Sequence, residues 1–216
     1  MEKYKCVLFD MDGVMLDTES QYDIFWGNIG KKYYPNTPDF SKIIKGTTLP
    51  NILKKYFSDI PKSEVDVLVQ ELDEFESNMT FHEIPGSIAF LESIKQSGIK
   101  VGLVTSSTDT KMKSVNTTLH FDKVFDTIVT AADVKQGKPN PDCYLLGAAK
   151  LNAKPEDSIV FEDSIAGIQA GYSAGMTVIG VATTLSKQQL DTEKKCKAII
   201  SDFKDFSISN LEELLK

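Results

Sequence analysis

The feature of this sequence that most constrains its fold is an alternation of short apolar runs with amphipathic stretches from Gly86 onward. Short apolar runs predict β-strands, and apolar residues at helical spacing between them predict α-helices. Strands are predicted at residues 99–104, 127–129, 158–161, 177–180 and 198–200, and a closing helix at 209–216. Because strands that alternate with helices form parallel sheets with right-handed crossovers, this part of the chain predicts an α/β fold.

One further strand is predicted near the N-terminus, where residues 6–9 are uniformly apolar, as in a central parallel strand that is buried on both faces. The stretch from there to Pro85 shows no convincing strand. It is predicted to form helices at 20–33, 50–57 and 62–79, separated by breaks that contain proline. We therefore predict a Rossmann-like parallel sheet flanked by helices, residues 1–16 and 83–216, with an all-helical cap domain inserted at 17–82.

The composition narrows the class of protein and its partners. The 216 residues are 41% hydrophobic and 25% charged, close to the globular average. A net charge of −7 and a complete lack of arginine argue against a surface for phosphate backbones, so we expect no nucleic acid partner. No run approaches the ~18 apolar residues of a membrane span, so no membrane association is expected. Cys6, Cys143 and Cys196 show no paired spacing, which favours a reducing, cytoplasmic location.

The strongest local signal is the pair Asp10 and Asp12, which directly follows the first predicted strand. Their spacing places both carboxylates on the same side as the chain leaves the sheet. A calcium-binding loop is excluded, because Val14, Met15 and Gln21 stand where that loop needs a ligand, a glycine and a glutamate. A turn with solvated acids is the remaining plain interpretation of this segment alone.

Three later segments place polar residues just after predicted strands. They contain Thr105 and Ser106, Lys138, and the pair Glu162 and Asp163. Taken singly, each has an ordinary explanation as a helix cap or a solvated charge. Ligand sites in open α/β sheets lie at the carboxyl ends of the strands, so the segments together with Asp10 are expected to converge on one crevice.

These residue types suit phosphoryl transfer at a divalent metal ion. Asp10 can act as an anionic nucleophile, and it shares with Asp163 and Glu162 the hard oxygen atoms that Mg²⁺ prefers. Lys138 adds a positive charge, and Thr105 a hydroxyl group, for the transferred phosphoryl group. Asp12 is free to protonate the leaving oxygen and then to activate water.

At these residues the chain resembles the haloacid dehalogenase-like superfamily, in the branch with a small helical cap that includes β-phosphoglucomutase-like and phosphoglycolate phosphatase-like enzymes. The matching motifs occur in order at residues 7–14, 17–19, 85–86, 104–107, 137–142 and 160–164, followed by Gly167 and residues 170–171. The resemblance covers essentially the whole chain. It implies a phosphatase that forms a phosphoaspartyl intermediate on Asp10, with acid and base catalysis by Asp12.

The resemblance also implies how Mg²⁺ and phosphate are bound. The metal ion would be held by the carboxylates of Asp10 and Asp163 and the main-chain carbonyl of Asp12, with Glu162 as a further ligand or directly behind the ligands. Phosphate would be bound by Thr105, Ser106 and Lys138.

The motifs distinguish this chain from three other types of enzyme in the superfamily. Dehalogenases and phosphonatases lack the second aspartate, so Asp12 argues against both. β-Phosphoglucomutases carry a cap histidine and a cap arginine where this chain has Tyr22 and Leu49. We therefore expect hydrolysis, with a mutase or a catalytically silent relative that binds a phosphorylated ligand as the alternatives.

The substrate is expected to be a small phosphorylated metabolite, such as a sugar or polyol phosphate or a phosphoglycolate-like compound. Its leaving group must be selected by the cap. The candidate residues flank the insertion or its inner loop and are Glu19, Tyr22, Lys45 and Thr47. Tyr22 and Trp26 lie one helical turn apart and have an alternative role in cap packing. We expect a monomer or a weak homo-oligomer.

Overall fold

A computed structural model describes residues 3–44 and 48–216, apart from the side chain of Glu193. Its sheet is formed by β1 (Cys6–Phe9), β2 (Lys100–Val104), β3 (Thr127–Val129), β4 (Ser158–Glu162), β5 (Thr177–Val181) and β6 (Ala198–Ile200). All neighbouring strands are parallel, in the order β3-β2-β1-β4-β5-β6. This is the doubly wound order of the Rossmann fold, so the predicted fold class is confirmed.

Helices cover both faces of this sheet and form the segment that follows β1. They are α1 (Glu19–Tyr33), α2 (Phe40–Ile44), α3 (Leu49–Tyr56), α4 (Lys62–Ser77), α5 (Ser87–Gln96), α6 (Asp109–Leu119), α7 (Phe121–Val124), α8 (Asp142–Lys150), α9 (Ile165–Ser173), α10 (Lys187–Leu190) and α11 (Ile208–Leu214). The predicted strands and long helices are present within a few residues of their expected ends. The short helices α2, α7 and α10 were not predicted. In the part of the chain described, no helix is long and apolar enough to cross a membrane.

Strand β1 is buried on both faces, as its apolar sequence predicts. Val7 and Phe9 belong to the hydrophobic cluster that includes residues of α5, α6 and α11. Cys6 and Leu8 point to the opposite side, into the cluster that includes residues of α8 and α9. The alternation fixes the register of β1, because a slip by one residue would exchange the two faces.

The segment inserted after β1 forms a hydrophobic core of its own. Its buried residues come from α1 to α4 and include Trp26, Phe40, Ile52 and Leu68. The chain enters and leaves this segment at adjacent points, where Leu16 bridges to Glu83 and the Asp17 N–H donates to the His82 carbonyl at 2.8 Å. These crossings coincide with the expected boundaries at 16/17 and 82/83, and the division into core and cap stays a prediction.

The order of the strands determines where a site can lie. Chain connections from β1 lead first to β2 on one side and later to β4 on the other, so the direction of winding reverses beside β1. A crevice opens at such a reversal, outside the carboxyl ends of the strands. Asp10 follows β1 there, Thr105 follows β2, and Asp163 follows β4.

Candidate active site

A cavity of about 220 Å³ lies between these strand ends and the segment inserted after β1. It brings together most of the residues selected from the sequence, namely Asp10, Asp12, Glu19, Tyr22, Thr105, Ser106, Lys138 and Asp163. Glu162 is fully buried beneath this lining. Lys45 and Thr47 lie outside the described residues.

Lys138 is the central cation of the site. It is 8% exposed, and its Nζ contacts the Asp10 carboxylate, Glu162 Oε1 at 2.6 Å and the Val104 carbonyl at 3.2 Å. Burial alone would lower the pKa of Lys138, but the charges of Asp10 and Glu162 outweigh it and hold the pKa above its ordinary value. The ammonium group is therefore charged across the physiological pH range.

Glu162 has both carboxylate oxygens occupied by hydrogen bonds. Oε1 accepts from Lys138 and from the Tyr144 hydroxyl at 2.9 Å. Oε2 accepts from the main-chain N–H of Asp163 at 3.0 Å and from the main chain and hydroxyl of Ser164 at 3.1 and 3.0 Å. Helix α9 packs directly on this carboxylate, because a Cβ atom at Gly167 would overlap it. Glu162 thus holds Lys138 against the end of β4.

Asp10, Glu162 and Asp163 form a buried acidic cluster in which one carboxylate oxygen from each residue lies within 4.8 Å of the other two. When all three carboxyl groups are ionised, Lys138, which contacts Asp10 and Glu162, offsets one of their charges and leaves two in excess. Burial, followed by the charge of Glu162, raises the pKa of Asp163 well above its usual range. Burial, opposed by Lys138, raises the pKa of Asp10 to about 8. The charge excess and the oxygen donors fit a hard divalent cation such as Mg²⁺.

Asp12 lies in different surroundings, although only Met11 separates it from Asp10. Its Oδ1 contacts the Thr18 hydroxyl and the Lys111 ammonium group, and its Oδ2 accepts from the Ser107 hydroxyl at 2.9 Å. Burial would raise the pKa of Asp12, but the charge of Lys111 and these hydrogen bonds hold it below its usual value. The two aspartates therefore differ in protonation behaviour.

Lys111 is the main residue of the site that the sequence analysis missed. It is fully buried in the first turn of α6. Besides Asp12, its Nζ contacts the Tyr22 hydroxyl at 3.0 Å and lies 4.6 Å from the centre of the Tyr22 ring. A signal was present in the sequence, because Lys111 is one turn from Val115 on the face of α6 that also carries Met112.

Glu76 was also missed, and it connects α4 to α6. This residue is 4% exposed, and its carboxylate accepts from the Tyr22 hydroxyl at 2.8 Å and from the Thr108 hydroxyl at 2.7 Å. The contacts link α1 and α4 to the N-terminus of α6, next to Lys111. Tyr22 is thus held by polar contacts as well as by packing on Phe75.

Thr105 and Ser106 open the loop between β2 and α6. Thr105 is buried, and its hydroxyl oxygen accepts from the Ser107 N–H at 3.0 Å, whereas Ser106 is exposed to the cavity. Both residues line the same cavity as Asp10 and Lys138.

A family model described as haloacid dehalogenase-like hydrolase matches residues 7–181. The chain belongs to this family. This haloacid dehalogenase-like hydrolase is 32% identical to the phosphorylated carbohydrates phosphatase of Thermotoga maritima, over 91% of its own length and 94% of that protein. It is 33% identical to hexitol phosphatase A of Escherichia coli, over 82% of each chain. The β-phosphoglucomutase of Bacillus subtilis is 31% identical, over 82% of this chain and 83% of the mutase.

Solved structures agree with this assignment of the family. A family IA haloacid dehalogenase-like hydrolase from Entamoeba histolytica superimposes with a TM-score of 0.82 and 28% identity, covering 98% of this chain and 99% of that one. The β-phosphoglucomutase of Clostridium difficile gives a TM-score of 0.78 at 26% identity, covering 98% and 96%. The resemblance drawn from the motifs is confirmed. Because both phosphatases and mutases are similar to this haloacid dehalogenase-like hydrolase, the choice between them depends on its own residues.

Proposed function

We propose that this chain is a Mg²⁺-dependent phosphatase that hydrolyses a small phosphorylated metabolite, such as a sugar or polyol phosphate, through an aspartyl-phosphate intermediate. The observation that carries the proposal is the contrast between Asp10, in an acidic cluster with Lys138, and Asp12, which contacts Lys111, Thr18 and Ser107. Carboxyl groups whose surroundings differ in this way commonly divide the nucleophilic and acid/base roles. The phosphatases among the relatives support the same reaction.

Asp10 is the proposed nucleophile of the first half-reaction. Its carboxylate oxygen attacks phosphorus, and the bond between phosphorus and the substrate oxygen breaks. The leaving oxygen takes a proton from the carboxyl group of Asp12, and the alcohol departs while the phosphoryl group stays on Asp10. Lys138 and the hydroxyl groups of Thr105 and Ser106 bind the phosphoryl oxygens during this transfer.

Asp12 is the proposed base of the second half-reaction. It removes a proton from a water molecule, whose oxygen attacks phosphorus and displaces the Asp10 carboxylate. Inorganic phosphate is released, and both aspartates return to their starting states. The contacts of Asp12 favour its ionised form, which suits this step, whereas the first step requires that Asp12 first takes up a proton.

The metal ion would be held by the carboxylates of Asp10 and Asp163 and by the main-chain carbonyl of Asp12. Bound there, Mg²⁺ would offset the negative charge of the carboxylates and of the phosphate. We propose that Glu162 positions Lys138 instead of coordinating the metal directly, since its oxygens already accept five hydrogen bonds.

We propose Lys111 as a positioning residue for Asp12. It is held on its other side by Tyr22, which in turn contacts Glu76. This arrangement restrains one oxygen of Asp12, while Ser107 restrains the other. The orientation of the acid/base would therefore depend on both the core helix α6 and the cap residue Tyr22.

A mutase would need a site that holds the second phosphate group of a bisphosphorylated intermediate while that intermediate reorients in the cavity. The chain contains no arginine, and Leu49 lies where the resemblance would place a cap arginine. Lysine offers only a point charge for this purpose, without the bidentate geometry of a guanidinium group. Hydrolysis is therefore proposed ahead of phosphate migration.

The test is a phosphorus NMR time course with Mg²⁺, using p-nitrophenyl phosphate and β-glucose 1-phosphate with a trace of the bisphosphate. We expect inorganic phosphate from the aryl ester, no activity after exhaustive chelation, and no build-up of glucose 6-phosphate. Formation of glucose 6-phosphate faster than phosphate release would establish the mutase instead. An inert protein with intact fold would support the silent relative.

A further inference from the structure

Four polar residues between the inserted segment and helix α6 form a cyclic hydrogen-bond network. Tyr22 and Glu76 come from α1 and α4 of the inserted segment, whereas Thr108 and Lys111 come from the start of α6. Glu76 Oε1 accepts from the Tyr22 hydroxyl at 2.8 Å, and Glu76 Oε2 accepts from the Thr108 hydroxyl at 2.7 Å. Lys111 closes the cycle, because its Nζ donates to the Tyr22 oxygen at 3.0 Å and its main-chain N–H donates to the Thr108 oxygen at 3.2 Å.

The chemistry of the groups fixes the direction of these hydrogen bonds. A lysine ammonium group can only donate, so the Tyr22 oxygen must accept from Lys111. The single hydroxyl hydrogen of Tyr22 then remains for Glu76, whose carboxylate only accepts. Thr108 likewise accepts from a main-chain N–H and has one hydrogen left for Glu76. Glu76 is therefore the acceptor on which both hydroxyl groups depend.

Burial makes these contacts difficult to replace. Glu76 is 4% exposed, and Lys111 is fully buried. A buried polar group that loses its partner cannot turn to water, so it must move or remain unsatisfied. The Lys111 ammonium group also contacts Asp12 Oδ1. Its position at the end of a flexible side chain is thus set by Asp12 on one side and by the cyclic network on the other.

We infer, building on the proposed phosphatase function, that Glu76 is a positioning residue for the acid/base Asp12. Glu76 fixes the Tyr22 hydroxyl, and that hydroxyl holds the Lys111 ammonium group. The ammonium group in turn restrains one oxygen of Asp12. The alignment of Asp12 therefore depends on a carboxylate that lies 64 positions away in sequence and makes no direct contact with the proposed nucleophile.

The kinetic signature of this role follows from what Asp12 does. Its carboxyl group must direct an oxygen at the leaving oxygen, and a small displacement of such a group slows proton transfer. Phenolate is a poor leaving group that needs this proton, whereas nitrophenolate departs with little help. Loss of the cyclic network should therefore slow the release of phenol much more than the release of nitrophenolate. A residue that only stabilises the fold would affect both esters alike.

The experiment compares phenyl phosphate with p-nitrophenyl phosphate, using purified full-length protein with Mg²⁺ and rapid-quench measurement of the first release of each phenol. Glu76→Met keeps the length of the side chain without an acceptor, and Tyr22→Phe removes one hydroxyl but keeps the packing on Phe75. For either variant we expect the first release of phenol to slow by about tenfold or more and that of nitrophenolate by less than about threefold. KM should change by less than about twofold.

Two further comparisons test the route from Glu76 to Asp12. Glu76→Gln still accepts from Tyr22 through its amide oxygen, so its release of phenol should stay within about threefold of the wild type. The losses should not multiply when Tyr22→Phe and Glu76→Met are combined, because both changes break the same contact. Glu74→Met, at an exposed position of α4, is the matched control and should behave as the wild type.

The possible outcomes separate this inference from the proposed function. Equal losses on the two esters, a change confined to KM, or losses that multiply in the double variant would each overturn the positioning role of Glu76. If Glu76→Met does not fold, Tyr22→Phe alone decides the comparison of the two esters. If the wild type releases no phosphate from either ester, the phosphatase itself is wrong. If the wild type is active and both variants match it, only the inference about Glu76 is wrong.

Discussion

Asp10 and Asp12 carry the same functional group, and their neighbours set their different behaviour. Replacing Asp10 by Asn keeps the shape but removes the charge that attacks phosphorus and binds the metal. We expect a loss of turnover on the order of 10⁴-fold or more. Phosphate release from p-nitrophenyl phosphate measures it, with Asp122→Asn, an exposed aspartate on α7, as the control. If Asp10→Asn kept more than a few per cent of activity, the covalent route would be abandoned.

Asp12→Asn should separate the two half-reactions. Attack on an aryl phosphate needs little help from an acid, so the variant should release a burst of about one equivalent of nitrophenolate and then stall, since water is no longer activated. With an alkyl phosphate, turnover should fall by about 10²–10⁴-fold without a burst. Rapid-quench measurement of both products checks this, and equal losses on both substrates would count against the acid role.

Lys111→Met tests whether Lys111 positions Asp12. Methionine fills the buried space without the charge, so Asp12 keeps Thr18 and Ser107 but loses its cation. We expect kcat on alkyl phosphates to fall about tenfold or more with KM little changed, and the first release of nitrophenolate from the aryl phosphate to be much less affected. Lys113→Met, on the exposed face of the same helix, is the matched control. A pure change in KM would mean that Lys111 acts on substrate binding.

The sequence predicted the motifs at the strand ends but not this lysine, for a physical reason. A lysine in an amphipathic helix is normally solvated, and its burial depends on a carboxylate 99 positions away in sequence. The contacts of Glu76 could not be predicted for the same reason, because its partners are Tyr22 in α1 and Thr108, the residue directly before α6. Such pairs exist only after the cap and the core have come together.

At the scale of elements, the close packing of α9 on β4 can be tested at Gly167. A methyl group there overlaps the Glu162 carboxylate, so Gly167→Ala should destabilise the protein by about 1–3 kcal/mol. It should also disturb the position of Lys138, which Glu162 holds in place. Gly27→Ala, in the middle of α1, meets no atom within 4 Å and should stabilise by about 0.5–1 kcal/mol. Urea unfolding of both variants measures the difference. A neutral Gly167→Ala would show that α9 can move away freely.

Most strands and helices were predictable from the sequence, and the short helix α2 shows why some were not. Strands such as β1 and β5 are apolar runs between clear breaks, so their positions follow from local sequence. Helix α2 has only five residues and no complete apolar repeat of its own. It forms because Phe40 and Ile44 are buried against the rest of the cap, which no local pattern reveals.

At the scale of the whole molecule, the acidic cluster links stability to pH and to metal binding. In the folded protein without metal, burial raises the pKa of Asp10 from its ordinary 3.8 to about 8, so we expect Asp10 to keep its proton over this range. Because the folded state binds more protons than the unfolded state in this window, stability falls as pH rises through it. Bound Mg²⁺ needs the ionised carboxyl groups, so its stabilising effect should grow over the same window.

The measurement is the change in Tm on adding millimolar MgCl₂ to metal-free protein. We expect a clearly larger increase at about pH 8 than at about pH 5, and a much smaller one for Asp163→Asn at either pH. An increase that is independent of pH, or greater in acid, would contradict the coupling between Asp10 and the metal.

The adjacent crossings at Leu16 and Glu83 have a consequence for the architecture. The chain leaves the sheet region after Leu16 and returns at Glu83 through neighbouring, hydrogen-bonded positions that run antiparallel, as at the base of a β-hairpin. Lengthening or exchanging the segment between two such positions costs little in loop-closure entropy. We therefore expect that a different inserted segment, joined through two antiparallel linker residues, would leave the strand order of the sheet unchanged.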